Sequence, residues 1–194
     1  MLNARALSEL LSTNSDERLC RRWYLMTPNG TLLAHSEAKD SKELRKQVAV
    51  AALSWQEQDQ GASNLADSVD SHQPAPSRGL QVLIIESALH NVLVRRLQSQ
   101  LLLVLEGGVP PRKSSFETRI TAEGSDGQPL HDTRAGDSSL STSVSSKAES
   151  SMSMASSGVL ALHRKKLDAM SAAILADFEQ TGFKMPEDAS NHFF

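Results

Sequence analysis

Leu80-Gln81-Val82-Leu83-Ile84-Ile85-Glu86, Val92-Leu93-Val94-Arg95-Arg96-Leu97 and Leu101-Leu102-Leu103-Val104-Leu105 follow one another along the chain. Only Ser87–Asn91 and Gln98–Gln100 separate them. A crossover between parallel strands needs about a dozen residues or more, so breaks this short leave antiparallel neighbours. The spacing predicts a meander from Leu80 to Glu106, and this is the hydrophobic centre of the chain. It holds almost nothing that does chemistry, so the function is expected to reside in a surface.

Upstream, Leu7, Leu10 and Leu11 stand at i, i+3 and i+4, which predicts a short helix over 3–12 with Asn3 as its N-cap. Leu2 and Leu7 have the spacing of a hydrophobic staple. After a polar connection, Trp23-Tyr24-Leu25-Met26 and Thr31-Leu32-Leu33-Ala34 flank Thr27-Pro28-Asn29-Gly30. Proline suits the second position of a type I turn and Gly30 the left-handed residue of a bulge, so this is a hairpin.

Asp40-Ser41-Lys42-Glu43 has capping-box spacing and opens a helix expected to run to about Gln58. Leu44, Val48, Ala51, Ala52 and Trp55 fall on one side of it, while Ala49, Val50 and Leu53 fall on another. A helix resting on one sheet has no need of the second stripe, which points to burial against a second body. The first meander strand, through Val82 and Ile84, is the matching candidate in the sheet, because an unpaired apolar edge tends to be covered or paired. Ala49, Val50, Leu53, Val82 and Ile84 are therefore the candidate interface.

Residues 62–79 are polar and read as a flexible loop. Gly107-Gly108-Val109-Pro110-Pro111 is read as ending the meander, and 112–157 are about 30% serine, too polar to offset chain entropy by burial. The stretch 107–157 is accordingly expected to be a disordered insert, either a passive spacer or a phosphorylation-regulated segment. Leu160, Leu162, Leu167, Met170, Ile174, Leu175 and Phe178 predict an amphipathic helix over 158–180. The 181–194 tail is expected to fray, with Phe183, Phe193 and Phe194 able to dock weakly.

The economical assembly is α+β: helix, two strands, helix, three strands, helix, as a five-stranded antiparallel sheet with helices on both faces. One domain of roughly 110–130 residues follows, formed by 1–106 plus 158–180.

Net charge is -3 with pI near 6.1, so no global basic field recruits nucleic acid. Cys20 is the one cysteine, which rules out an intramolecular disulfide. Met1-Leu2-Asn3-Ala4-Arg5 lacks the features of a signal peptide, and neither a myristoylation start nor a prenylation end is present. A soluble protein is expected, reaching membranes only through partners. Among catalytic and binding motifs there is no Walker loop, GxGxxG or GxSxG. The six histidines are scattered, without HxxxH, so neither a metal nor a cofactor is expected. Half of the serines are in the insert, where no triad is held in geometry, so no catalytic residue is expected. Arg95-Arg96 and His163-Arg164-Lys165-Lys166 form two basic clusters, read as solvated faces, with a docking patch for an acidic partner or lipid headgroups as the alternative.

The element order, the turn at Asn29-Gly30-Thr31-Leu32-Leu33-Ala34 and the last strand leading through a loop to a long helix resemble roadblock/LC7 domains, a profilin-like fold. Within that family, Met1-Leu2-x-x-x-Ala6-Leu7-x-x-x-Leu11-Ser12 resembles the roadblock-type (second) subunits of the Ragulator complex, the late endosomal and lysosomal adaptor for MAPK and mTOR signalling. Trp55 followed by Asp59-x-Gly61, and Leu101-Leu102-Leu103 opening the last strand, point the same way. The resemblance covers about 1–60, 80–106 and 158–180, and the serine-rich insert marks a fungal-type member.

The resemblance implies pairing with a second roadblock protein, third strands edge to edge and second helices packed together. It further implies a lipidated anchor subunit that holds the pair on the cytosolic face of the late endosome, lysosome or vacuole. Docking of Rag-type small GTPases, a complex-level guanine-nucleotide exchange role and amino-acid-dependent TOR regulation complete the expectation. No catalytic residue comes with it. The rival readings are a dynein light-chain-type or polarity-type roadblock subunit and, in another class, a small-molecule sensor domain.

Overall fold

The computed structural model describes residues 2–36, 40–67, 79–110, 116–125, 127–131 and 149–186. Three helices are described: α1 (Ala4–Thr13), α2 (Ser41–Asp67) and α3 (Glu149–Thr181). The strands are β1 (Cys20–Met26), β2 (Leu32–His35), β3 (Val82–Glu86), β4 (His90–Gln98), β5 (Leu101–Gly108), β6 (Arg119–Glu123) and β7 (Pro129–His131). They form one antiparallel sheet in the order β2-β1-β5-β4-β3-β6-β7.

The pleat sorts the side chains into two layers. Tyr24, Val104, Val94, Leu83 and Ala122 stand opposite one another across five strands, and all five pack with Leu44, Val48, Ala51, Ala52 and Trp55 of α2. In the adjacent row, Trp23, Leu105, Leu93 and Ile84 point the other way. They meet Leu7 and Leu11 of α1 and Leu167, Met170, Ile174 and Phe178 of α3. β5 is buried along its whole length because helices cover both its faces. The fold is α+β, with α2 on one face of the sheet and α1 and α3 on the other.

Local signals set the element ends. Asn3 accepts the Ala6 amide at 3.1 Å, and Asp40 accepts the Lys42 amide at 2.8 Å, so α1 and α2 are each capped by an acceptor side chain. In the β1–β2 turn the Gly30 amide donates to the Thr27 carbonyl and the Thr27 amide to the Thr31 carbonyl, both at 2.9 Å. Gly30 has φ +86°, the left-handed residue that the turn requires. α3 closes with Gly182 at φ +63°, whose amide donates to the Glu179 carbonyl, while Phe183 donates to the Phe178 carbonyl. The rings of Phe178 and Phe183 lie 4.8 Å apart, the apolar contact that accompanies a Schellman cap.

Four expectations are corrected. The sheet carries seven described strands and not five, because β6 and β7 lie inside the stretch read as a disordered insert. Ile120 and Ala122 alternate onto the α2 face of the sheet, a pattern that averaging over a serine-rich window conceals. The rest of that insert, 111–115, 126 and 132–148, lies outside the described residues. Next, Gly107 and Gly108 belong to β5 instead of ending it. A Cβ on Gly107 would collide with the His163 ring, and one on Gly108 would collide with the Arg18 carbonyl oxygen. These glycines are close-approach positions inside a strand.

The helices are also longer than expected. α2 continues past Gln58 to Asp67, so 62–67 are helix and not loop, with 68–78 outside the described residues. α3 starts at Glu149, ahead of Gly158. Finally, the tail is docked at its start: Gln98 donates to the Phe183 carbonyl at 3.2 Å and accepts the Met185 amide at 2.7 Å. Phe193 and Phe194 lie outside the described residues.

Candidate protein-interaction face

The 3.6-residue period gives α2 two apolar sides, and only one is used by the sheet. Ala49, Val50 and Leu53 point outward, with Val50 53% and Leu53 67% exposed. The helix is fixed so that this stripe stays outside. The Gln56 amide donates to the Pro28 carbonyl at 2.9 Å, which ties α2 to the β1–β2 turn. A Cβ at Gly30 would lie 3.3 Å from the Ala52 methyl, so the turn and the helix are in close contact. Further along, the Arg96 guanidinium lies 5.2 Å from the centre of the Trp55 ring and reaches Asp59 at 2.7 Å. A cation over the ring face and an ion pair together hold α2 to β4.

An open groove runs along each side of the stripe. One, of about 590 Å³, is bordered by Asn29, Gly30, Leu32, Ala49, Leu53 and Gln56. The other, of about 260 Å³, is bordered by Gln47, Val50, Ile85, Ser87, His90 and Val92. Exposed Lys42, Arg45 and Lys46 lie towards the start of the helix, and exposed Glu57 lies beyond the apolar centre. The face is therefore apolar in the middle, basic at one end and acidic at the other, the composition of a surface that excludes water while its rim sets orientation.

The five candidate interface residues separate in space. Ala49, Val50 and Leu53 share the exposed face of α2, whereas Val82 (3% exposed) and Ile84 (6%) are buried in the opposite layer with α3. The edge of β3 is not open either, because β6 pairs with it from Val82↔Glu123 to Glu86↔Arg119. Val82 and Ile84 are thus corrected to core residues.

The two basic clusters also dissolve. Arg95 and Arg96 leave β4 on opposite faces, Arg95 pairing with Asp168 and Arg96 with Asp59. Arg164 pairs with Glu123 at 2.7 Å, and only Lys165 and Lys166 of the second cluster are exposed. His163 is fully buried, with Nε2 2.9 Å from the Leu19 carbonyl oxygen and Nδ1 3.4 Å from the Asn91 amide nitrogen. This node joins α3 to the start of β1 and to β4. The sequence reading missed it because a basic run looks solvated; the paired glycines opposite were the available signal.

Among the described residues no cluster of histidine, cysteine, aspartate or glutamate is grouped to hold a metal ion. Burial pushes the Cys20 thiol up and the Tyr24 phenol up, so both are held neutral. Asp16 is held below the usual carboxylate range, chiefly by the Leu19 amide it accepts. No described helix is long and apolar enough to cross a membrane.

No family model matches the chain, and no curated protein matches it. Among solved structures, a roadblock/LC7 domain from Streptomyces avermitilis is similar at 14% identity over 53% of this chain and 76% of that one, with a TM-score of 0.40. MglB in a tetrameric arrangement is similar at 16% identity over 56% of this chain and 75% of that one, with a TM-score of 0.42. The gliding protein MglB from Thermus thermophilus matches at 16% over 56% and 76%, also with a TM-score of 0.42. Likeness at this level decides nothing alone. The chain's own order is helix, two strands, helix, three strands, helix, as expected, with the β6–β7 hairpin added ahead of α3.

Proposed function

We propose that this protein is a non-catalytic adaptor of roadblock type, which works by presenting the outward face of α2 to a second helical protein. The observation that carries the reading is the stripe Ala49, Val50 and Leu53 on a helix whose other side is already buried. Two large aliphatic side chains held in water by a fixed helix are costly unless a partner covers them. The family resemblance supplies the finer reading. The partner is a second roadblock protein. The pair is a subunit of a Ragulator-like complex, anchored by a lipidated subunit on the cytosolic face of the late endosome, lysosome or vacuole. There it docks Rag-type small GTPases, contributes to their nucleotide exchange at the level of the complex and couples amino-acid supply to TOR signalling.

The test is affinity purification with mass spectrometry, run in parallel on the parent chain and on Leu53→Asp. The reading expects a second roadblock protein and Rag-type GTPases with the parent, and loss of the roadblock partner with the variant. Recovery of the same partners by both would remove α2 from the interface. A stable, fully soluble monomer at micromolar concentration with no roadblock partner would remove the adaptor reading itself.

A further inference from the structure

The first turns of α2 carry an electrostatic cost that the fold does not answer. Lys42, Arg45 and Lys46 are all exposed and stand at i, i+3 and i+4, so each lies beside a like charge. They also sit at the start of the helix, where the backbone dipole is positive and favours anions. Asp40 is used as the cap, while Glu43 takes the Gln47 amide at 3.0 Å and reaches Lys46 at 4.0 Å. Among the described residues Lys42 and Arg45 have no carboxylate partner. Arg22, Arg95, Arg96 and Arg164 of the sheet and α3, by contrast, each meet one.

These cations stand over a concave surface. A groove of about 530 Å³ is bordered by Ser41, Lys42, Arg45, Lys46 and Ala49. It shares Arg45 and Ala49 with the groove of about 590 Å³ that continues along the β1–β2 turn past Leu32, Ala52 and Leu53. Together they form one trough on the side of α2 away from Val50, basic at its head and apolar at its foot. Its wall is fixed by the Gln56 bond to the Pro28 carbonyl. Gly30 keeps the foot open, since a Cβ there would lie 3.3 Å from the Ala52 methyl.

We propose that this trough is a docking groove for an acidic segment of a partner protein, an extended stretch in which an aliphatic side chain is followed by carboxylates. The aliphatic group seats between Leu32 and Leu53, and the carboxylates meet Arg45, Lys42 and Lys46. A guanidinium offers a carboxylate two parallel donors, which makes Arg45 the anchor. Charge complementarity selects this occupant. Nucleic acid finds no aromatic ring along the trough on which a base could stack, and a flat anionic bilayer would meet the lysines but leave the apolar foot unfilled. The inference rests on the reading of α2 as a docking helix and adds the chemistry of what docks there.

Fluorescence anisotropy tests it on the full chain, with a labelled peptide carrying a leucine pair followed by a run of glutamates. The same peptide with glutamines is the control. The parent is expected to bind the glutamate peptide about tenfold more tightly or better, an advantage that shrinks as salt rises to about 0.5 M. Arg45→Glu should weaken binding by about tenfold or more. Val50→Ser and Lys165→Glu lie outside the trough and should keep it within about twofold. Arg45→Glu also removes a like charge from the positive end of the helix, so its Tm is expected to hold or to rise by about 1–2 °C. Should it fall instead, Arg45→Gln decides.

Equal affinity for the two peptides, or unchanged binding with Arg45→Glu, would overturn the proposal. Phosphatidylserine vesicles that bind the parent but not Arg45→Glu, with no peptide bound, would also overturn it and give the trough to lipid headgroups. The two readings of α2 fail separately. Unchanged peptide binding by Arg45→Glu, with the roadblock partner lost from Leu53→Asp, removes only the acidic segment. Peptide binding lost from Arg45→Glu, with the roadblock partner kept by Leu53→Asp, removes only the roadblock contact.

Discussion

Single atoms decide more in this molecule than the polar clusters do. The Tyr24 hydroxyl is fully buried beneath α2 and has no hydrogen-bond partner among the described residues. An unpaired buried hydroxyl costs roughly 1–3 kcal/mol, so Tyr24→Phe is expected to be neutral or stabilising at neutral pH, measured by urea denaturation. The same side chain sets an alkaline limit. Burial raises the phenol in the folded state above its ordinary value of about 10, so above that pH the unfolded chain releases a proton that the folded chain keeps. Stability from this group is therefore intact below about pH 10 and falls as pH rises beyond it; the phenylalanine variant should lose that slope. At Gly107 the deciding contact is steric. Gly107→Ala drives a methyl into the His163 ring and is expected to cost about 1–3 kcal/mol. His163→Ala in the same chain should recover part of that loss, giving a coupling of about 1 kcal/mol in a double-mutant cycle.

Among the elements, α2 carries two separate tasks, and its period keeps them apart. Leu44, Val48, Ala51, Ala52 and Trp55 bind the sheet, while Ala49, Val50 and Leu53 contribute little to it. Leu53→Asp should accordingly change the stability of the isolated chain by no more than about 0.5 kcal/mol, since the position is a solvent-facing one. Its effect belongs to association. A loss of folding with Leu53→Asp, seen by circular dichroism and thermal denaturation, would show that the stripe is part of the core and sink the interface reading. β5 is the contrasting element, with no face left for anything but packing.

The whole molecule is two apolar layers that share one sheet, and each layer holds one tryptophan. Trp23 lies in the α1/α3 layer and Trp55 in the α2 layer. Every central strand contributes alternate residues to both layers, so neither can melt while the other keeps its floor. Denaturation followed by fluorescence of Trp23→Phe, which leaves Trp55, and of Trp55→Phe, which leaves Trp23, is expected to give single transitions whose spectroscopic and circular-dichroism midpoints coincide within each variant. Separate midpoints for the two signals would mean that the layers are independent units.

The hairpin at Asn29-Gly30, the cap at Asp40, the meander and the double stripe of α2 were legible because each depends on residues within one or two turns of one another. The β6–β7 hairpin was also written locally, in the alternation Arg119-Ile120-Thr121-Ala122-Glu123 and the Asp126-Gly127 pair, but was concealed by the polar, serine-rich composition around it. Val82 and Ile84 were misplaced for another reason. Alternation states that a strand has two apolar faces; it does not state what lies against each face or along each edge. The sequence by itself determined the inner strands, the helix faces and the turns, since these follow from backbone stereochemistry and the periods of 2 and 3.6. Only the tertiary structure decided that β6 closes the edge of β3, that His163 is buried against Gly107 and that α2 keeps Val50 and Leu53 in water. Those outcomes depend on contacts between residues far apart in the chain, which no local pattern records.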